Sequence, residues 1–277
     1  MPDLIAGLNS YVTLDEADAY LAGSIQAATA WAALTDAEKT LALISATRSL
    51  ERVAWTGSKS AVQSSSALAV STPGTGYAIG DLVQIDGVGA VGTPAVIEVL
   101  TVDGALGIAT ARFVHVGFYS TDPAFPASTT TLTGAGINAE ITLTLADQFM
   151  EWPRDITACD SFSTQSTTEV PVDIKAAECE LAYQFSQDPA LENGVGAGSQ
   201  GTDGNIKKVE AGSAKVTFFR PTDGTPFPTV TWQLMKDYRE GACPASAGAW
   251  GMAAFGTGDA SAFTDPCNTY DLNRGYA

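Results

Sequence analysis

Residues 58–147 carry few charges and alternate apolar with small polar residues, whereas the sequence on either side repeats at helical spacing. A period of two suits a strand and a period near 3.6 suits a helix, and neither pattern serves the other structure. The chain therefore reads as a helical host interrupted by a β insert. "EITLTL" at 140–145 sets Ile141, Leu143 and Leu145 on one face, with Glu140, Thr142 and Thr144 on the other. "VIEVLTV" at 96–102 and "DLVQI" at 81–85 are further strands, and the glycine-rich steps between them are hairpin turns.

The flanks give the helices. Thr13 with Glu16, and Thr35 with Glu38, have the spacing of capping boxes, in which a hydroxyl and a carboxylate satisfy the free amides of a first turn. A short helix follows each, with an alanine-rich helix over 25–33 between them. In the longest, Leu43, Thr47, Leu50 and Ala54 recur beside Leu41 and Ile44. After the insert, Pro171 opens another helix in its first turn, with Val172, Ala176, Cys179 and Tyr183 as its apolar stripe and Asp188-Pro189 as its end. Residues 192–204 form a glycine-rich loop, and two short strands then meet about Ala211-Gly212. "FPTVTWQLMKDY" adds a last short helix, and the tail after Gly241 has aromatic residues at no regular period.

One motif invites a nucleotide. Gly87, Gly89 and Gly92 match GxGxxG, but that turn holds a pyrophosphate only when a helix begins directly after it. Here Thr93-Pro94 leads into a β-branched run, so the match reads as a glycine-rich turn. His115, the chain's one histidine, sits between two valines with no carboxylate fixed beside it, and reads as an ordinary strand histidine. Asp15, Glu16 and Asp18 belong to a helix face; Asp81, Asp86 and Asp103 lie in loops without a calcium-loop motif. Cys159, Cys179, Cys243 and Cys267 include no CxxC pair, and Cys243 with Cys267 could pair only in an oxidising medium. Neither a catalytic centre nor a cofactor or metal site is expected, and the chain is read as a non-enzyme.

Charge narrows the partners. The formal net charge is −17, which opposes general binding to phosphate backbones. Lys207, Lys208, Lys215 and Arg220 form a basic spot around the late hairpin. It is either a lysine-protected strand edge or a docking point for an acidic copy or partner. The N-terminus has no signal-peptide pattern, and no apolar run is long enough to suggest a membrane span.

The order of the helical segments carries a resemblance. YVTLDEADAYLAG, LTDAEKTLALISATRSLERVAWTG, MEWPRD, VPVDIKAAECELAYQF, IKKVEAGSAKVTFFRP and FPTVTWQLMKDY together resemble the head–tail connector (adaptor) proteins of tailed bacteriophages. Related phage sequences are often labelled DnaT-like single-stranded-DNA-binding proteins. In that family a short linker joins the two tryptophan motifs; here the insert stands between them. The resemblance implies a dodecameric ring under the portal protein, located in the virion neck and linking head to tail or tail-completion proteins. DNA would pass through its channel without sequence-specific contact. The label implies an alternative, a replication accessory that binds single strands, and a tail-completion or decoration protein is a third role.

The expected fold is α+β. A small helical adaptor bundle with a β-hairpin (1–60 and 148–240) is interrupted by an all-β domain (61–147), and an extended arm follows (241–277). The insert is expected to project outward as a contact surface. Lys207, Lys208, Lys215, Arg220, Trp250, Phe255, Phe263 and Tyr270 are the candidate subunit or portal interface.

Overall fold

Local capping starts the helical part where the sequence places it. Thr13 Oγ1 accepts the Glu16 amide at 3.2 Å while the Glu16 carboxylate accepts the Thr13 amide at 2.7 Å, which opens α1 (Leu14–Ala22). Thr35 and Glu38 repeat the arrangement at the start of α3 (Asp36–Leu50), with α2 (Ala28–Ala32) between. Replacing Thr35 with Ala is expected to cost about 1 kcal/mol. The reading is a lower urea midpoint with an unchanged m-value.

The computed structural model describes residues 2–87, 91–156, 165–193, 208–211, 214–217 and 227–239, with backbone alone over the two strands at 208–217. Met1–Cys243 forms one unit and Pro244–Ala277 another; the second lies wholly outside the described residues, as does the expected arm.

α4 (Val172–Gln187) packs against α3 and α5 (Thr229–Met235) and is the central helix. Its expected stripe needs correction. Ala176 and Cys179 are buried as expected, but Val172 is exposed, and Ile174, Ala177, Glu178, Leu181 and Phe185 also lie in the interior. A helix covered on two sides buries more than one narrow stripe, so an isolated period misplaces its inner face. Pro171 is the N-cap residue, one position before the first turn. On α3, Leu43, Thr47 and Leu50 point inward as expected, whereas Leu41 is exposed.

The insert is an antiparallel sheet of eight strands. In chain order they are β2 (Gln63–Thr72), β3 (Leu82–Asp86), β4 (Val91–Thr93), β5 (Val96–Val102), β6 (Ile108–His115), β7 (Phe118–Thr121), β8 (Ala127–Thr131) and β9 (Glu140–Asp147). Across the sheet the order is β4-β7-β2-β9-β8-β3-β5-β6. Val83, Ile85, Ile97, Val99, Ile108, Ile141 and Leu143 form its core with Tyr77. Gly92 lies in β4 at φ +143°, and a Cβ there would collide with the Phe118 carbonyl oxygen. That glycine permits close strand pairing, which is the physical need the GxGxxG match reflects.

A two-stranded ladder closes the base of the insert: β1 (Ser58–Lys59) pairs with β10 (Arg154–Asp155). Gly57, just before it, has φ +73°, and a Cβ there would run into the Asp155 carbonyl oxygen. A second tie comes from the N-terminal residues. The Ala6 amide donates to the Val114 carbonyl at 2.9 Å, the Val116 amide donates to the Ala6 carbonyl at 3.0 Å, and Arg112 pairs with Asp3 at 2.9 Å. Val62 and Phe118 of the insert also enter the helical core. The late hairpin is present, with β11 (Lys208–Ala211) antiparallel to β12 (Ala214–Thr217).

Candidate functional site

Three polar constructions stand out, and the first two are structural. "WTG" and "WPR", far apart in sequence, form one knot. Arg154 is buried, and its Nε donates to the Thr56 carbonyl at 3.0 Å. One Nη donates to the Gly57 carbonyl at 2.6 Å, and the other pairs with Glu151 at 2.6 Å. Trp152 packs edge-on against Trp55 and Tyr238, with ring centroids 5.5 and 5.6 Å apart. Thr56 fastens the C-terminal end of the helical part, its amide donating to the Tyr238 carbonyl at 2.9 Å and its hydroxyl to the Arg239 carbonyl.

The second construction is centred on Glu178, which is fully buried on α4. It accepts from Ser10 Oγ at 2.6 Å, Thr47 Oγ1 at 2.7 Å and the Tyr11 amide at 2.8 Å. Burial outweighs those donors and pushes its carboxyl up to about 7. Both hydroxyls have a second acceptor, the Val12 carbonyl at 2.7 Å and the Leu43 carbonyl at 2.9 Å. A neutral Glu178 can thus donate to one hydroxyl while that hydroxyl turns to its backbone acceptor. Every group is satisfied in either protonation state.

The third construction is open to a ligand. A cavity of about 540 Å³ is lined by Arg52, Val53, Phe185, Glu192, Trp232 and Arg239 together with neighbouring residues. The Arg239 guanidinium lies 3.7 Å from the Trp232 ring centroid, and its buried Nε donates to no acceptor among the described residues. Arg52 also lines a second cavity of about 430 Å³, with Arg48 and Phe149. Arg48 lies in the last turn of α3 and Arg52 two residues beyond its end, and both are exposed.

None of the residues expected at an interface has its side chain among the described residues. Lys208 and Lys215 are placed only by the backbone of β11 and β12. Lys207, Arg220, Trp250, Phe255, Phe263 and Tyr270 lie outside the described residues, as do Cys159, Cys243 and Cys267. His115 is a strand residue whose Nδ1 accepts the Gly117 amide at 2.8 Å; burial lowers its pKa to about 4. Asp81 accepts the Ala78 amide at 2.9 Å and Asp103 accepts the Gly107 amide at 2.8 Å, so both hold turns. Asp86 accepts from Gln84 at 2.8 Å and from Thr130. Sequence reasoning overlooked Arg48, Arg52, Trp232 and Arg239. The Arg-x-x-x-Arg spacing at the end of α3 was a visible signal, but its aromatic neighbours come from residues about 180 positions later in the chain.

Comparison with known families adds the decisive observation. The model of a family described as "Putative DnaT-like ssDNA binding protein" matches residues 3–70 and 142–250. The chain belongs to this family. The DnaT-like family match excludes residues 71–141, and its two inner ends fall on paired strands: Ala69 faces Thr142 and Val70 faces Ile141 in the β2–β9 ladder. The extra residues of this DnaT-like chain thus leave and re-enter at adjacent points, the geometry in which an insertion disturbs its host least. No curated protein and no solved structure matches the chain significantly.

Proposed function

We propose that this protein binds single-stranded DNA, at the end of α3. The distribution of positive charge carries this reading. Lys39, Lys59, Arg112, Arg154 and Lys175 are all held in ion pairs. Arg48, Arg52, Lys236 and Arg239 have no ion pair among the described residues, and the three arginines line the two cavities that share Arg52. Single-strand binders combine cations that follow the backbone with aromatic rings that stack on bases. Trp232, beneath Arg239, supplies the ring. The family description agrees with this chemistry.

The net charge of −17 sets the strength. Most of the surface repels a polyanion, so binding is weak and falls steeply with added salt. A gel shift with labelled single strands is expected to give a complex at low salt that dissolves near physiological ionic strength. No complex at the lowest salt overturns the reading.

The same charge favours a second reading, the neck adaptor ring of a tailed bacteriophage. An acidic wall lets DNA slide past without adhering, and the order of helical motifs on either side of the insert supports the assignment. In this reading copies of the chain form a ring beneath a portal protein, join it to tail proteins, and carry the insert outward as a contact surface. Neither reading requires catalysis. Cryo-electron microscopy of intact particles tests it: a ring of this chain below the portal is expected, and its absence from particles rejects the role.

A further inference from the structure

We infer that the cavity between Trp232, Arg239 and Arg52 takes an unpaired nucleobase, with the strand's phosphates running along Arg52 and Arg48. This rests on the single-strand reading and assigns its site, its contact mode and its preference for unpaired over paired DNA.

The cavity has the right walls for a flat, partly polar ring. Trp232 is half-buried, so its indole is fixed by the protein and still borders open space. Arg239 lies over that indole, and a guanidinium plane is itself a stacking surface for a base. Val53, Phe185, Leu191 and Phe227 make the remaining walls apolar. Arg239 Nε is buried and has no acceptor among the described residues, and a buried donor without a partner costs free energy that a ring nitrogen or carbonyl oxygen of a base relieves. The volume, about 540 Å³, is within the range of small-molecule sites.

Charge orients the strand. Glu192 lines the same cavity and repels a phosphate placed on its side. Arg52 stands at the boundary with the second cavity, where Arg48, in the last turn of α3, continues the positive ridge. The base therefore points into the Trp232 cavity and its phosphate toward Arg52. A base stacked and paired in a duplex cannot enter a concave site, so selectivity for unpaired DNA follows from shape.

The test uses the full chain at low salt and fluorescence anisotropy with a labelled single strand, its duplex, and the same single strand with abasic sites. The wild type is expected to bind the intact single strand about tenfold or more tightly than either other probe, the scale of a stacked base. Trp232→Ala is expected to lose about the same factor for the intact strand and almost nothing for the abasic one, whereas Trp232→Phe retains affinity. Arg52→Ala is expected to flatten the salt dependence by about one phosphate contact. Equal affinity for intact and abasic strands refutes base insertion without involving any variant's folding. Wild-type affinity in a folded Trp232→Ala places binding elsewhere and leaves the single-strand reading standing. No binding of any probe overturns both.

Discussion

Arg154→Met is expected to lower stability by about 3–5 kcal/mol, the range for breaking a buried charged group's contacts. Arg154 gathers the carbonyls of Thr56 and Gly57, which end the helical part, and the carboxylate of Glu151. Methionine fills similar volume yet donates nothing. Those carbonyls lose the arginine's donors, and among the described residues Glu151 keeps only Lys59 as an ion-pair partner, at 3.2 Å. The same contacts hold β1 to β10 at the base of the insert. Arg154→Lys keeps the charge but reaches fewer acceptors, so it should recover less than half of the loss. Urea titration of both variants measures this, and a loss below about 1 kcal/mol for the methionine variant would mean that Arg154 does not secure the knot.

The second large effect is a change in pH dependence on replacing Glu178 with Gln. A carboxyl normally at 4.5 and raised to about 7 in the folded chain holds a proton that the unfolded chain has already released. Its contribution is complete below 4.5 and is lost as pH rises through about 7. That shift corresponds to stability on the order of 3 kcal/mol. His115 acts with the opposite sign. Its pKa falls from 6.5 to about 4, so its contribution is present above 6.5 and is lost as pH falls through 4.

Between pH 4.5 and 6.5 the two slopes oppose each other in the wild type, and above that only Glu178 still acts, so stability declines toward about pH 8. A glutamine side chain at this position reproduces the neutral acid: its oxygen accepts from the Tyr11 amide, and its NH₂ donates to Ser10 or Thr47. Glu178→Gln is therefore expected to match the wild type near about pH 5 and exceed it at about pH 8. Of these two groups only His115 then titrates, and it contributes a rise from pH 4 to 6.5. Chemical denaturation across this range decides; a uniform loss at every pH would show Glu178 to be ionised throughout.

The helix starts and the insert were legible because their causes are local. A hydroxyl and a carboxylate three residues apart cap α1 and α3 through contacts within one turn. β5 spans the residues that its alternation marks, Val96–Val102, since one face of that strand is covered and the other is more open. The inner face of α4 was misjudged at Val172 because two other helices, not the helix's own period, decide what is covered. Residues 2–9 have no period at all, yet they tie the insert to the helices through the main-chain bonds of Ala6 and the Asp3–Arg112 ion pair.

The candidate site was less legible for the same reason. Arg48 and Arg52 are four residues apart in the chain, but Trp232 and Arg239 reach them only after α4 packs against α3 and α5 packs against α4. Sequence alone determined the α+β class, the capped helices, the β-rich middle segment and the rejection of a dinucleotide turn, because each depends on contacts a few residues apart. Tertiary structure decided which cations are neutralised, which carboxyl is buried and where an indole meets an arginine. Those outcomes depend on desolvation and on which distant segments pack together, and no short stretch of the chain contains both partners.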